Sequence, residues 1–402
     1  MIRPALALLA AVLALAPPAA RAQFPNDTVR IGVLTDMSGP FADATGPGSA
    51  LAARMAAEDF APESNGLKVE ILVGDHLNKP DVGVAIARAW VDQEGVAAIA
   101  DLPNSGVALA VANVMKEKNR VALASSSATS DLTGKACAPT TVQWETDTWA
   151  QGNSIARAML SARLDSWYFI TVDYALGHTL VRDATAPLLA GGGTVLGEVS
   201  IPLGTTDFSA PLLQAQASGA KVIMLANTGA DAVNAVKQAA EFGVGRSGAQ
   251  IGALFMKIPD IHALGLQAAQ GLLLTTAFYW DLNDDTRAWS RRFAARFNGR
   301  MPTEDQASVY AAALHYLRSV RDNRTLDGVR AVEAMKRTKL QDRLFASTEI
   351  RADGRVLHPM FLFRVKAPSE STSPYDAYQL VQTIPADQAF RPLAEGGCPL
   401  VK

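Results

Sequence analysis

Along this chain, short unbroken apolar runs alternate with longer stretches whose apolar positions recur every three or four residues. Residues 96–100 and 121–124 are runs of the first kind, the pattern of strands covered on both faces of a parallel sheet, and 29–34 and 69–73, each interrupted by one charged residue (Arg30, Glu70), read as strands of the same series. Between them, residues 48–60, 80–90 and 105–118 carry a helical stripe. Ala50, Leu51, Ala53, Ala56 and Ala57 form the buried side of the first, and Pro80 stands where the second begins. A second series repeats the alternation, with helices at 148–161, 177–190, 208–217 and 230–242. Its strands fall at 167–172, 195–201, 222–226, 251–255 and 272–279. Residues 284–330 are helix-rich, and strand-like segments follow at 360–365 and 377–381. Alternation of this kind predicts mostly parallel sheets, and two series predict two lobes. Ligands of open α/β sheets bind outside the carboxyl ends of the strands, so two facing sheets predict a cleft between the lobes.

The stretch 120–134 is where such a cleft acquires chemistry. Val121, Leu123 and neighbouring alanines give way to Ser125, Ser126, Ser127, Thr129 and Ser130, which supply hydroxyls and backbone amides with little bulk. That composition suits a rim for a small polar ligand, and it equally suits a solvated serine-rich turn.

The first 22 residues read as a secretory signal peptide. Arg3 supplies the positive start, residues 5–15 the apolar run, and Ala20-Arg21-Ala22 the small residues before cleavage at Gln23. No cysteine sits near that site to carry a lipid anchor, and no later stretch is apolar enough to span a bilayer. The expectation is a periplasmic protein that is not membrane-embedded and acts as a monomer. The chain of 402 residues is long enough for two domains with their own cores. Its formal net charge of −2, with both signs interspersed, argues against nucleic acid as a partner. Cys137 and Cys398 are the whole thiol inventory, and in an oxidising compartment they predict a disulfide tying the C-terminal tail beside the serine loop.

Several stretches share a resemblance. Ile31-Gly32-Val33-Leu34-Thr35-Asp36-Met37-Ser38-Gly39-Pro40, residues 121–133, Asp207-Phe208-Ser209 leading into Leu212-Leu213, and residues 271–279 resemble the type I periplasmic solute-binding proteins of ABC importers. That group includes the leucine/isoleucine/valine-binding proteins. Ser130-Asp131-Leu132-Thr133-Gly134-Lys135-Ala136-Cys137 and Phe278-Tyr279-Trp280-Asp281-Leu282-Asn283 look like a narrower subgroup that includes binders of hydroxybenzoates and hydroxycinnamates.

The resemblance implies two Rossmann-like lobes with parallel sheets, joined by a three-crossover hinge near residues 144–146, near 279–280 and after Arg337. It implies lobe one at 23–145 plus 281–340, lobe two at 146–280 plus 341–376, and a tail at 377–402 packing back on lobe one. The ligand carboxylate would be held by Asn104 and Ser105 at a helix start and by Ser126, Ser127 and Ala128 at the serine loop. Helix-terminal amides favour an anion there without any arginine, and Ser105 also suits a plain cap. Amino-acid binders of the family place a carboxylate and tyrosines against the ligand's ammonium. The corresponding positions here are Thr228 and the neighbourhood of Asp260, which leaves the ammonium anchor in question and favours a carboxylate with an aromatic body. Walls for that body are Phe41, Trp144, Tyr174 and Tyr279, each also readable as a core aromatic. His178 and His262 are candidates for a phenolic hydroxyl and also read as surface residues. The implied partner is the importer's membrane permease, and a module serving a membrane receptor would share the same cleft.

An enzyme is not indicated. The Gly191-Gly192-Gly193 run follows a helix and precedes a strand, the reverse of a phosphate-binding loop. There is no Gly-x-Ser-x-Gly elbow, and the five histidines lack metal-ligand spacing, so neither cofactor nor metal is expected.

Overall fold

The structure is a computed structural model that describes residues 24–244 and 248–401, so the expected signal segment lies outside the described residues. The first lobe is built from β1 (Thr28–Thr35), α1 (Gly46–Phe60), β2 (Lys68–Asp75), α2 (Pro80–Asp92), β3 (Ala98–Asp101), α3 (Ser105–Glu117), β4 (Val121–Ala124) and β5 (Thr141–Gln143). All neighbours in its sheet are parallel, in the order β2-β1-β3-β4-β5. Central β1 is almost wholly buried, with only Arg30 half-buried, whereas β2 at the edge is half exposed. Gly32 and Gly74 on those two strands leave room for Trp90 of α2. A Cβ on Gly32 would lie 2.4 Å from that ring, and one on Gly74 2.9 Å from it.

The second lobe comprises α4 (Thr148–Ser161), β6 (Ser166–Val172), α5 (Ala175–Ala190), β7 (Thr194–Ile201), α6 (Ser209–Ala217), β8 (Val222–Ala226), α7 (Gly229–Glu241) and β9 (Gln250–Ala253). After β9 come the short helices α8 (Ile258–Leu264) and α9 (Leu266–Ala269) and the strand β10 (Leu273–Thr276). Its parallel sheet runs β7-β6-β8-β9. Edge strand β7 alternates exposed and half-buried residues, the mark of a strand covered on one face only.

Helices α10 (Asp284–Ala294), α11 (Glu304–Asn323) and α12 (Gly328–Arg337) return to the first lobe. There Phe293, Tyr316, Leu317 and Met335 join Val33, Met55, Phe60 and Trp144 in one core. The hairpin β11 (Glu349–Ile350) and β12 (Val356–Leu357) follows. Then β13 (Met360–Val365) pairs antiparallel with both β10 and β14 (Tyr378–Ile384), and α13 (Ala386–Ala389) ends the regular structure. Each parallel sheet carries packed side chains on both faces, which is the doubly wound arrangement.

The division of the chain departs from the expected boundaries at its end. Leu344, Phe345, Ile350 and Val356 pack into the first core, so the third crossover, in the region after Arg337, falls between Val356 and Phe363, later than the expected boundary at 340/341. Within 377–402, β14 belongs to the three-stranded sheet, with Tyr378 in the second lobe's core, while Ala389 and Phe390 bury themselves in the first. The cause is local: the segment after Arg337 has turns and two-residue strands where a periodic stripe would have announced its face. Cys137 and Cys398 form the expected disulfide, their Cα atoms 5.6 Å apart, and Arg391 donates to the Ser130 carbonyl at 3.1 Å beside it.

Candidate ligand-binding cleft

In each sheet the strand order reverses at one point, and the loops leaving it diverge to open a crevice. In the first lobe that point is β1/β3, in the second β6/β8. The two crevices face each other across a cavity of about 30 Å³. Lobe one lines it with Pro40, Phe41, Thr45, Pro103, Ser126 and Ala128, and lobe two with Leu176, Thr228, Gly229, Phe255, Lys257 and Asp260. The lobes touch: a Cβ on Gly229, whose φ is +61°, would stand 2.6 Å from the carbonyl oxygen of Pro40.

The loop carrying Phe41 is shaped by Asp36, whose carboxylate accepts from the amides of Gly39 (2.6 Å) and Phe41 (2.9 Å) and from Asn78 (2.8 Å). Asn104 caps α3, accepting from Gly106 at 3.0 Å and Val107 at 3.1 Å, so its side-chain oxygen is used by the helix. Ser105, wholly buried beside it, has a hydroxyl with no partner in hydrogen-bond geometry.

The serine loop divides its labour. Ser126 and Ala128 face the cavity, and the Ser126 hydroxyl is buried without a partner of proper geometry. The Ser127 hydroxyl is likewise unpartnered, while its carbonyl accepts from Gln143 at 2.7 Å. Ser130 turns away to Asp183 of α5 at 2.6 Å, and Arg182 reaches Asp131 at 2.7 Å, which ties the loop to the second lobe.

Beneath Ser126, whose amide donates to the Asp101 carbonyl at 3.0 Å, lies a strained acid. Asp101 and Leu102 both adopt left-handed backbone, φ +79° and +67°. The Asp101 carboxyl is fully buried. Burial pushes its pKa up to about 7, and the Ser126, Thr35 and Ser49 hydroxyls nearby lower it only in part without making a well-formed bond.

On lobe two, Thr228 begins α7 without a side-chain capping bond and lines the cavity. Tyr174 stands at the start of α5 with its hydroxyl buried and unpartnered, and burial raises its pKa above the usual tyrosine value. Asp260 lines the cavity, accepts from the Lys257 amide at 2.8 Å, and is pushed up to about 6 by burial. Tyr279 lies outside this cavity. Its hydroxyl donates to Tyr375 O at 2.8 Å and accepts from the Ala377 amide at 3.1 Å, and its ring packs on Tyr378 and Phe363. Trp144 is buried in the first lobe's core against His315. Neither histidine named above faces the cavity: exposed His178 pairs with Asp173, and exposed His262 stacks on Tyr375.

Sequence reasoning missed Lys257 and Asp305. The Lys257 ammonium donates to Glu145 and, at 2.5 Å, to Asp305, both buried. Burial alone would lower the lysine, but the Asp305, Glu145 and Glu304 carboxylates outweigh it and hold the pKa above the usual value. Burial also raises the pKa of Glu145 and of Asp305. Lys257 follows directly on the strand-like residues 251–255, a strand-end position that could have marked it, whereas Asp305 has no local signal. Among the described residues no cluster of His, Cys, Asp and Glu could hold a metal ion, and no helix is long and apolar enough to cross a membrane.

Comparisons with known proteins agree with this architecture. The family model described as periplasmic binding protein matches residues 28–372. The crystal structure of a periplasmic binding protein from Burkholderia mallei is 40% identical, with a TM-score of 0.91 over 94% of this chain and 100% of that one. A branched chain amino acid ABC transporter periplasmic ligand-binding protein from Burkholderia xenovorans LB400 is 37% identical, with a TM-score of 0.81 over 93% of this chain and 100% of that one. Leu/Ile/Val-binding protein homolog 6 of Brucella melitensis is 29% identical over 281 residues, 69% of each chain.

Proposed function

The chain belongs to the periplasmic binding proteins, and from that premise we propose that its cleft captures a small organic carboxylate lacking an ammonium group, an aromatic acid of the hydroxybenzoate or hydroxycinnamate type. As a family member it is a substrate-binding component of an ABC transporter and not an enzyme: such proteins bind a small molecule and deliver it to a membrane permease. The observation that carries the ligand class is an asymmetry in the cleft. Lobe one offers a buried Ser126 hydroxyl without a partner, in the cavity that Pro103 also lines, while every acidic side chain lining the cavity already accepts from Lys257. Unsatisfied buried donors favour an acceptor, and acids already paired with a lysine leave little net negative charge for a second ammonium. Phe41, Pro40, Pro103, Leu176 and Phe255 supply apolar walls for the ligand's body.

Capture proceeds by closure. With the lobes in contact at Gly229 and Pro40, a molecule of benzoate size enters only when they part, and it favours the closed state by the contacts it makes to both. Export through a cleaved signal peptide and a monomeric state complete the reading. A second reading, capture of a branched-chain amino acid, is favoured by the names of the Burkholderia xenovorans and Brucella melitensis relatives. In that case Asp260 would hold the ammonium. Service to a membrane receptor in place of a permease is distinguished by which membrane protein the loaded form retains in a pull-down.

The deciding experiment is a thermal-shift and calorimetric screen of the signal-free protein against benzoates and cinnamates on one side and aliphatic amino acids on the other. At a hundredfold excess over its Kd a ligand of the folded state adds about 2.7 kcal/mol of stability. Shifts confined to the acids are expected. A shift with leucine or valine and none with the acids would overturn the proposal.

A further inference from the structure

Among the described residues lining the cleft Lys257 is the one cation, and its position is unusual. It stands where β9 hands over to α8, on the second lobe, yet its ammonium crosses to two first-lobe carboxylates. Glu145 comes from the segment between β5 and α4, and Asp305 from the first turn of α11. Its side chain is 13% exposed and theirs 0% and 2%. Asp260, in the first turn of α8, accepts from the backbone amide of Lys257 and not from its ammonium. Each first-lobe acid keeps one oxygen, Glu145 Oε2 and Asp305 Oδ2, buried and without a partner. Glu304 is spent differently, accepting from the Thr146 and Ala277 amides and the Thr276 hydroxyl.

Buried carboxylates converging on one ammonium in a ligand cavity form a subsite for a primary amine, since they match both its charge and its three donors. Here the chain's own side chain fills it. We infer that Lys257 is the specificity-determining residue of the cleft: it occupies the amine subsite as a tethered ammonium, excludes ligands that carry an ammonium of their own, and so selects acids without one. This rests on the ligand class proposed above and names the residue responsible for it. The tether matters because an attached group competes at a far higher effective concentration than a free amine. Two ammonium groups would also repel each other in a site that has already lost most of its water.

The test compares the wild type, Lys257→Ala and the triple variant Lys257→Ala/Glu145→Gln/Asp305→Asn. The probes are 4-hydroxybenzoate, L-leucine, L-phenylalanine and propylammonium chloride, with sodium chloride as the ionic control, read by thermal shift and calorimetry. The wild type should ignore the amines. Lys257→Ala should bind propylammonium or an amino acid at least tenfold more tightly than the wild type does, and the triple variant should lose that gain. A folded Lys257→Ala that remains blind to amines overturns the inference, as does an amine response that survives in the triple variant. Should Lys257→Ala fail to fold alone, refolding is run with and without propylammonium. Recovery only with the amine supports the inference, and equal failure in both refutes it. Leucine binding by the wild type would sink the proposed ligand class itself, whereas hydroxybenzoate binding by the wild type with an amine-blind Lys257→Ala sinks only the role given to Lys257.

Discussion

Replacing Asp101 by Asn should change how stability depends on pH, and the size of the change follows from where this carboxyl sits. Asp101 is fully buried at the end of β3, and its pKa is pushed from 3.8 up to about 7 by that burial. In the unfolded chain it releases its proton near pH 4; in the folded chain it holds the proton until about pH 7. Between those limits the folded state binds more protons, so stability falls as pH rises, and above about pH 7 the penalty is constant. Three units at about 1.4 kcal/mol each set the full penalty at roughly 4 kcal/mol, of which about 3 kcal/mol develops between pH 5 and pH 8.5. Asn has the same shape and no charge to desolvate, and like Asp it tolerates left-handed backbone, so the strain at φ +79° is unchanged. The assay is urea unfolding of both proteins at pH 5, 6, 7 and 8.5. Taking the difference between them removes the titration of every other group. Asp101→Asn is expected to gain on the wild type by about 3 kcal/mol across this range. A difference constant to within about 0.5 kcal/mol would refute the reasoning, because it would mean that Asp101 ionises normally inside the fold.

Three further outcomes follow from named contacts. Gly229→Ala places a Cβ 2.6 Å from the Pro40 carbonyl across the cleft, so it should prop the lobes apart and weaken ligand binding at least tenfold. The ligand-bound variant should then show a larger radius of gyration by small-angle scattering, and unchanged affinity would contradict closure at this point. Removing the Cys137–Cys398 disulfide, whose ends are 261 residues apart, should lower stability by at most about 5.6 kcal/mol in the chain-entropy picture, and the melting temperature with and without reductant reads it directly. Arg355→Met strips a fully buried guanidinium that donates to the Trp144 carbonyl at 2.7 Å and stacks on Phe390 at 4.6 Å. It should cost about 3 kcal/mol and speed amide exchange around residues 386–398; protection there equal to wild type would show that the arginine does not hold the tail.

Both lobes were legible in the sequence because the physics that builds them is local. A strand buried on both faces must be apolar throughout, as β4 and β8 are. A helix against a sheet must repeat its apolar face, as α1 does. Strand and helix alternation then confines the sheets to parallel pairing and the cleft to their carboxyl ends, which is where Phe41, Ser126 and Thr228 lie. Two cysteines allow one bridge, and it formed. What tertiary structure alone decided is how residues distant in the chain meet. Lys257 finds Glu145 from 112 residues away and Asp305 from 48, and Tyr279 spends its hydroxyl on Tyr375, 96 residues on. Periodicity announces which face of an element is buried, but it says nothing about which charge waits on the far side of a cleft. The hairpin of β11 and β12 joined the first lobe for a related reason: strands of two residues are too short to show a period, so their side was set by packing alone.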